Sequence, residues 1–563
     1  MLLAAAFLAG AVYVLGLPMV KRARLLDPPR AAITQPTSPP TPDTGHPAPR
    51  EVEPEIVHPG EEVTVELMEP PAERYADPPR SGPDLGYAAT VEEIGRREVD
   101  YDPLLGRAAR ELANQQSRFG GTVPTDVLDF ILRSAGAVDR TVLQGYTLTS
   151  TSEMGETRKY IERSLGPPGG EPARVGAGEV YIPGARMPRV LGVLVSRTEL
   201  EVSPAPRRVE PGEAWELTGT LPGRFTDPSA LVLRQNGKLE ELAVTSTGRR
   251  FHLTVTTDNE PGTLIVSLSA VGPHGPLPLV QLPVEVGRPL PDTYTTHMPP
   301  DESDLRTPAT AEALAFRLLN QDRARFGVPP LARDPALDVI ARAHSADMRD
   351  NHFFGHVSPT TRSPSDRIAA ARYRASRHAE NVALSGSIHG GESALLASLP
   401  HRRNIVAPEL THVGIGVAAA PEGSRPEWRI TQLFATPAIT IDPTVEARRL
   451  EETIAALRRE AGARPLERDS GLDRIAAGHA RVVSAGQTRD DILRMLGDAE
   501  RAGLTRGDSR GWAAIAPGLA DLELPSMVTG TGYGRMGIAV HQPPDDPHGS
   551  VRVVLVLTGP DGR

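Results

Sequence analysis

The chain has 563 residues, 39% of them hydrophobic, with a formal net charge of -10 and no cysteine. That length calls for several domains, since single cores stop growing near ~250–300 residues. The absence of cysteine excludes disulfides, thiolate zinc sites, iron–sulfur clusters and catalytic thiols, and the mild acidity offers no basic surface for nucleic acid.

Met1 to Val20 carry no charged side chain, and Lys21, Arg22 and Arg24 follow at once. This reads residues 1–26 as a signal peptide or an uncleaved N-terminal membrane anchor. No Lys or Arg precedes the apolar run, and no clean A-x-A site follows it. Residues 27–90 are rich in proline, with Pro-Pro pairs and Thr-Pro steps and no sustained periodicity, which predicts a disordered stalk. A stalk of this kind holds later domains away from a membrane or wall.

Residues 91–197 read as a small α+β domain. Leu104, Leu105, Ala108, Ala109 and Leu112 fall at helical spacing, as do Val127, Leu128, Ile131 and Leu132. VGAGEVYIPG (Val175 to Gly184) and VLGVLVS (Val190 to Ser196) read as two strands, with no evident chemistry. Over residues 198–287 the period switches to two. Trp215 and Leu217 alternate with Glu216 and Thr218, and Asn236-Gly237 signals a type I′ hairpin. These short strands predict an immunoglobulin-like β-sandwich. Residues 288–308 form a Pro-rich linker.

Residues 309–437 hold the segment around which the rest is arranged. Thr310 is a candidate cap for a helix ending at Gly327, and Asp334-Pro335 opens the next one. Leu337, Ile340, Ala341, His344 and Met348 share one face of that helix, so His344 reads as a core histidine. Residues 440–563 repeat this opening without gaps: Gly462 stands for Gly327, Asp469 for Asp334, Leu472 for Leu337 and His479 for His344. YGRMGIAV and VRVVLVL continue the correspondence, which predicts an internal duplication. The copy lacks the segments that carry chemistry. Gly532-x-Gly534-x-x-Gly537 fits a dinucleotide fingerprint by letter, but a strand follows where a helix is required, so it reads as a tight turn.

Those chemistry-bearing segments are FFGHVSP (Phe353 to Pro359), AENVA (Ala379 to Ala383), HRRNI (His401 to Ile405) and THVGIGV (Thr411 to Val417). His356, Glu380 and His401 lie too far apart for one helix face and converge only through tertiary structure. In this order the segments resemble the bacterial branch of the CAP superfamily, which includes cysteine-rich secretory, antigen 5 and pathogenesis-related 1 proteins and whose domain is also called SCP. The resemblance implies an α-β-α sandwich with a cleft lined by two histidines and two acids that sometimes holds zinc. It assigns the cleft histidines to His356 and His401 and one acid to Glu380. Leu395 stands where the family often has Trp, Leu399 and Pro400 depart from its pattern, and the second acid falls near Ser398, with Glu392 as a substitute.

Three readings stay open at this point. Two imidazoles and a carboxylate suit a zinc ion with one position open to water, so His356, His401 and Glu380 are candidate metal ligands. Glu380 orienting a histidine as general base suits a hydrolase, with Ser358 as candidate nucleophile or as a turn hydroxyl. The third reading is structural, with the histidines holding loops shut and the chain acting as a surface interaction protein. Taken together, the sequence predicts an extracytoplasmic binding protein whose ligand is a metal, a lipid or a cell-surface component.

Overall fold

The computed structural model describes residues 60–560, apart from 79–85, 96–97, 120–122, 140–141, 150–153, 166–171, 184–187, 198–199, 303, 306, 421–426, 485–487, 517, 520–521, 545 and 547–548. The N-terminal apolar run lies outside them. Among the described residues no helix is long and apolar enough to cross a membrane.

The central unit is built from α1 (Pro308–Arg325), β1 (Ala332–Arg333), α2 (Pro335–Asp350), α3 (Pro364–Ala370), β2 (Ala375–Ser385), α4 (Ile388–Ala397), α5 (Leu399–Ile405), β3 (His412–Ala419) and β4 (Trp428–Pro437). Its sheet runs β1-β3-β4-β2; only the β1–β3 pair is parallel. Helices cover both faces. Leu314 and Leu319 of α1 and Leu395 of α4 pack with Val413, Ile415 and Phe434 on one side. Leu337 and Ala341 of α2 and Ile368 of α3 pack with Leu433 and Ala435 on the other. The alternation in β3 and β4 thus feeds two layers of core, as strands buried on both sides require. Gly414 and Gly416 let α2 lie directly on the sheet, because a Cβ at Gly416 would stand 2.2 Å from the Ala341 carbonyl carbon and the Arg342 nitrogen.

Capping at α2 follows the expectation: Asp334 accepts from the Ala336 and Leu337 amides, with Pro335 in the first turn. At α1 the expected cap, Thr310, is displaced by Thr307, which accepts from the Thr310 amide. Pro308 is tolerated in the first turn, where its missing N–H costs nothing, so the helix starts earlier.

The same strand order recurs twice more. In the C-terminal unit it reads Glu467–Arg468, Arg535–His541, Val551–Thr558, Ser509–Ala516. In the N-terminal unit it reads Val99–Tyr101, Ala173–Tyr181, Arg189–Ser196, Val142–Thr149, again with only the first pair parallel. Asp102, Asp334 and Asp469 each accept from backbone amides at the start of the helix that lies on the sheet. Gly176 and Gly178 meet that helix as Gly414 and Gly416 do. A buried arginine marks the central and C-terminal units alike. Arg323 donates to Pro329, Ile405, Ala407 and Leu410 carbonyls, and Arg458 to Arg464, Val528, Gly530 and Tyr533 carbonyls. Gly537 lies inside a strand against Leu472, which removes the dinucleotide fingerprint.

Between the N-terminal and central units, a four-stranded and a five-stranded sheet enclose one core around Trp215, Leu217, Leu253, Val266 and Val284. The hairpin at Asn236-Gly237 is present, but among its turn residues only Gly237 has positive φ, so the turn is not the I′ type expected.

Two spacer expectations need correction. Within the expected stalk, Glu62–Glu66 is a strand that pairs antiparallel with Thr293–His297 from the expected linker. Val63 and Val65 alternate into the N-terminal core, a run too short to stand out among prolines. Arg74–Tyr75 pairs with Ala205–Pro206, Tyr75 is fully buried in the sandwich core, and the next helix already begins at Gly86. Arg74–Tyr75 thus packs on the sandwich, and the Glu62–Glu66 and Thr293–His297 pair packs on the N-terminal unit.

Candidate functional site

The FFGH loop leaves α2 and is pinned from both ends. His344 on α2 is fully buried and donates through Nε2 to the Gly355 carbonyl at 3.0 Å. Burial holds its pKa below the usual histidine value, with the Glu380 charge opposing, so it is neutral near pH 7. Past His356, the Ser358 hydroxyl donates to Asp347 and accepts from the Thr360 and Thr361 amides. Burial alone would raise the Asp347 pKa, but Ser358, Thr360, Asn351 and Thr361 donate to it and lower it. Ser358 is a turn hydroxyl; the nucleophile reading loses its group.

Between these anchors His356 is turned by Glu380. Its Nδ1 donates to Glu380 Oε1 at 3.0 Å, while Arg367 Nη2 donates to Glu380 Oε2 at 2.6 Å. Arg367 also bonds the His356 and Arg362 carbonyls, tying α3, the loop and β2 together. Glu380 is buried, which by itself would raise its pKa. The His356 hydrogen bond and the Arg367 and histidine charges outweigh this and bring it down to about 2. The carboxylate is therefore ionised and fixed, and His356 keeps 13% of its side chain exposed.

His401 reaches the same place from α5. Its ring centroid lies 6.3 Å from that of His356, and its Nδ1 meets the Ser398 hydroxyl at 2.9 Å. Asn381, next to Glu380, donates to the His401 carbonyl and the Gln432 side chain, and Asn404 donates to Asn381. Gln432 then donates to Glu392. Burial, and then the nearby negative Asp322, push the Glu392 pKa well up, although the Gln432 bond opposes. Glu392 is thus a buried acid pushed towards its neutral form two side chains behind the histidines, not a second acid facing them.

The three predicted residues converge, but not as three ligands. Among the described residues no group of three His, Asp or Glu is arranged to hold a metal ion. Both oxygens of Glu380 are engaged, one by an imidazole N–H and one by a guanidinium, so the expected zinc set of His356, Glu380 and His401 does not fit. What is assembled is an imidazole pair, with the carboxylate behind one ring fixing its tautomer.

Sequence reasoning missed Arg367, Asp347 and Gln432. A signal for Arg367 existed in Ser363-Pro364-Ser365-Asp366, a capping box that starts α3, with Arg367 the next residue of that helix. Asp347 and Gln432 carried no comparable mark.

The family model for the CAP domain, the cysteine-rich secretory protein family, matches residues 316–434. "Uncharacterized protein YkwD" of Bacillus subtilis is 37% identical over 107 residues, 19% of this chain and 41% of that protein. "Uncharacterized membrane protein YlbC" of the same organism is 31% identical over 120 residues, 21% of this chain and 34% of that protein. The chain therefore spans less than half the length of these relatives. Among solved structures, an extracellular SCP-domain protein from Bacillus anthracis matches with a TM-score of 0.20 and 20% identity, over 39% of this chain and 77% of that one. An outer surface protein from Borrelia burgdorferi matches with a TM-score of 0.21 and 15% identity, over 23% and 93%. The match runs from within α1 to within β4 and includes every group of the imidazole site, so residues 316–434 are a CAP domain.

Proposed function

We propose that this is an extracytoplasmic binding protein whose central CAP domain takes a cell-surface or membrane ligand at the His356–His401 pair. The observation that carries this reading is the buried, ionised Glu380 held between Arg367 and His356. A carboxylate buried for packing alone is costly; here it fixes a partly exposed imidazole beside a second one. The apolar run Met1 to Val20, followed by Lys21, Arg22 and Arg24, supports export or anchoring. In this reading the N-terminal and C-terminal units are degenerate CAP-like copies, and the sheets of residues 200–286 form an immunoglobulin-like module.

Retention of the full chain on isolated cell-wall sacculi and on anionic phospholipid vesicles, against His356→Ala plus His401→Ala, tests this. Binding by wild type and its loss in the double variant, with unchanged circular dichroism, is the expected outcome. Equal retention of both proteins sinks the reading.

One geometric observation favours a second reading, that of a hydrolase. With Nδ1 of His356 committed to Glu380, its Nε2 is the position at which a general base would take a proton from water. Turnover of ester, peptide or glycan substrates that is abolished by His356→Ala and spared by Ser358→Ala would establish it.

A further inference from the structure

The sandwich meets the central domain through Leu231, Leu233 and Leu239, through the Glu241–Arg403 pair, and through the hairpin Gly262–Gly272 and Gly275–Val286. Its tip reaches the loop of the first cleft histidine. The His274 carbonyl accepts from the Val357 amide at 2.9 Å, and His274 Nδ1 donates to the Val357 carbonyl at 3.0 Å. The His274 ring lies 5.2 Å from that of Phe353. Gly355, at φ +145°, permits the approach: a Cβ there would stand 2.6 Å from the His274 Cβ and carbonyl oxygen. A Cβ on Gly275 would lie 3.3 Å from that of His356.

Seven residues along, the same hairpin holds the segment of the second histidine. Gln281 donates to the Ala397 carbonyl at 2.8 Å and accepts from the Leu399 amide at 3.1 Å. These groups flank Ser398, which touches His401, and they lie where α4 ends and α5 begins.

We propose that this hairpin is part of the imidazole site, with His274 and Gln281 as positioning residues that set the separation of His356 and His401. His356 lies on a loop and His401 on α5, and inside the central domain β2 links them through Glu380 and Asn381. The hairpin fastens both to one pair of strands of fixed length, so motion of the sandwich against the central unit changes the width of the site. The proposal deepens the binding reading but concerns geometry, so its test needs no knowledge of the ligand.

The test is diethyl pyrocarbonate modification of the full chain, followed at each histidine by mass spectrometry. His274→Ala should raise the rate at His356, and Gln281→Met the rate at His401, each by about fivefold, the factor one net hydrogen bond is worth. The expected change is local: hydrogen exchange over 412–437 stays as in wild type, whereas simple destabilisation would raise it throughout. His274→Asn, whose amide can replace Nδ1–H, should restore the His356 rate. Unchanged rates at both histidines, or faster exchange across the whole central unit with no rescue by His274→Asn, would overturn the proposal. If the rates change as expected while sacculus and vesicle binding fails, the positioning role stands and the binding reading alone falls.

Discussion

Replacing Glu380 by glutamine removes the charge on which His356 and Arg367 both depend and leaves Arg367, 5% exposed, buried beside a neutral amide. The carboxyl titrates at about 2 instead of an ordinary 4.5. At ~1.36 kcal/mol per pH unit, that displacement is worth about 3 kcal/mol of stability. Breaking a buried ion pair from one side costs ~3–5 kcal/mol, which agrees. Because the folded pKa is depressed, the contribution is fully present above pH 4.5 and fades as pH falls towards 2. Glu380→Gln should therefore be about 3 kcal/mol less stable than wild type near neutral pH, with the gap more than halved at the acid end. Met348 is fully buried beside Phe353 and Val382, so its oxidation by peroxide in urea titrations reports unfolding of this unit alone. A gap that is the same at both ends of the pH range, or absent at neutral pH, would refute the reasoning.

The remaining predictions concern the scaffold and the donor set. Gly416→Ala should drive a methyl into the α2 backbone and cost at least ~1–3 kcal/mol, read by the same Met348 assay. Arg323→Leu leaves buried carbonyls of Ile405, Ala407 and Leu410 without their donor, at ~1–3 kcal/mol each. Arg458→Leu should do the same to the C-terminal unit, and hydrogen exchange should show each effect confined to its own unit. Because both Glu380 oxygens are engaged, the purified chain should retain less than one equivalent of zinc after dialysis, measured by elemental analysis. A tight equivalent lost on His356→Ala would restore the three-ligand site.

How much was legible in the sequence depended on whether the cause was local. The cap at Asp334 and the apolar stripe of α2 are set by neighbours a few residues away, and they could be read directly. The correspondence between 327–344 and 462–479 was legible because the core positions keep the same spacing without gaps. The third unit escaped. Asp102 and Gly176 stand where Asp334 and Gly414 do, but the intervening chain differs in length, and the correspondence shows only in strand order, the aspartate cap and the glycine contacts. Val63 and Val65 escaped for another reason: an edge strand of five residues gains its partner, Thr293–His297, only across the whole sandwich.

The sequence by itself determined which residue types the site would use, since His356, Glu380 and His401 sit in motifs whose order already implied a common cleft. It also determined where α2 starts and which face it buries, because capping and periodicity act over a turn or two, whereas β2 and α5, which carry Glu380 and His401, were not read from it. Only the tertiary structure decided what each group does. Glu380 is an orienting anion because Arg367 arrives from α3, Glu392 is pushed towards its neutral form by burial and by Asp322, and His274 reaches the His356 loop from a different domain. Charge state and hydrogen-bond partner depend on distances between segments far apart in the chain, and those distances exist only once the layers are packed.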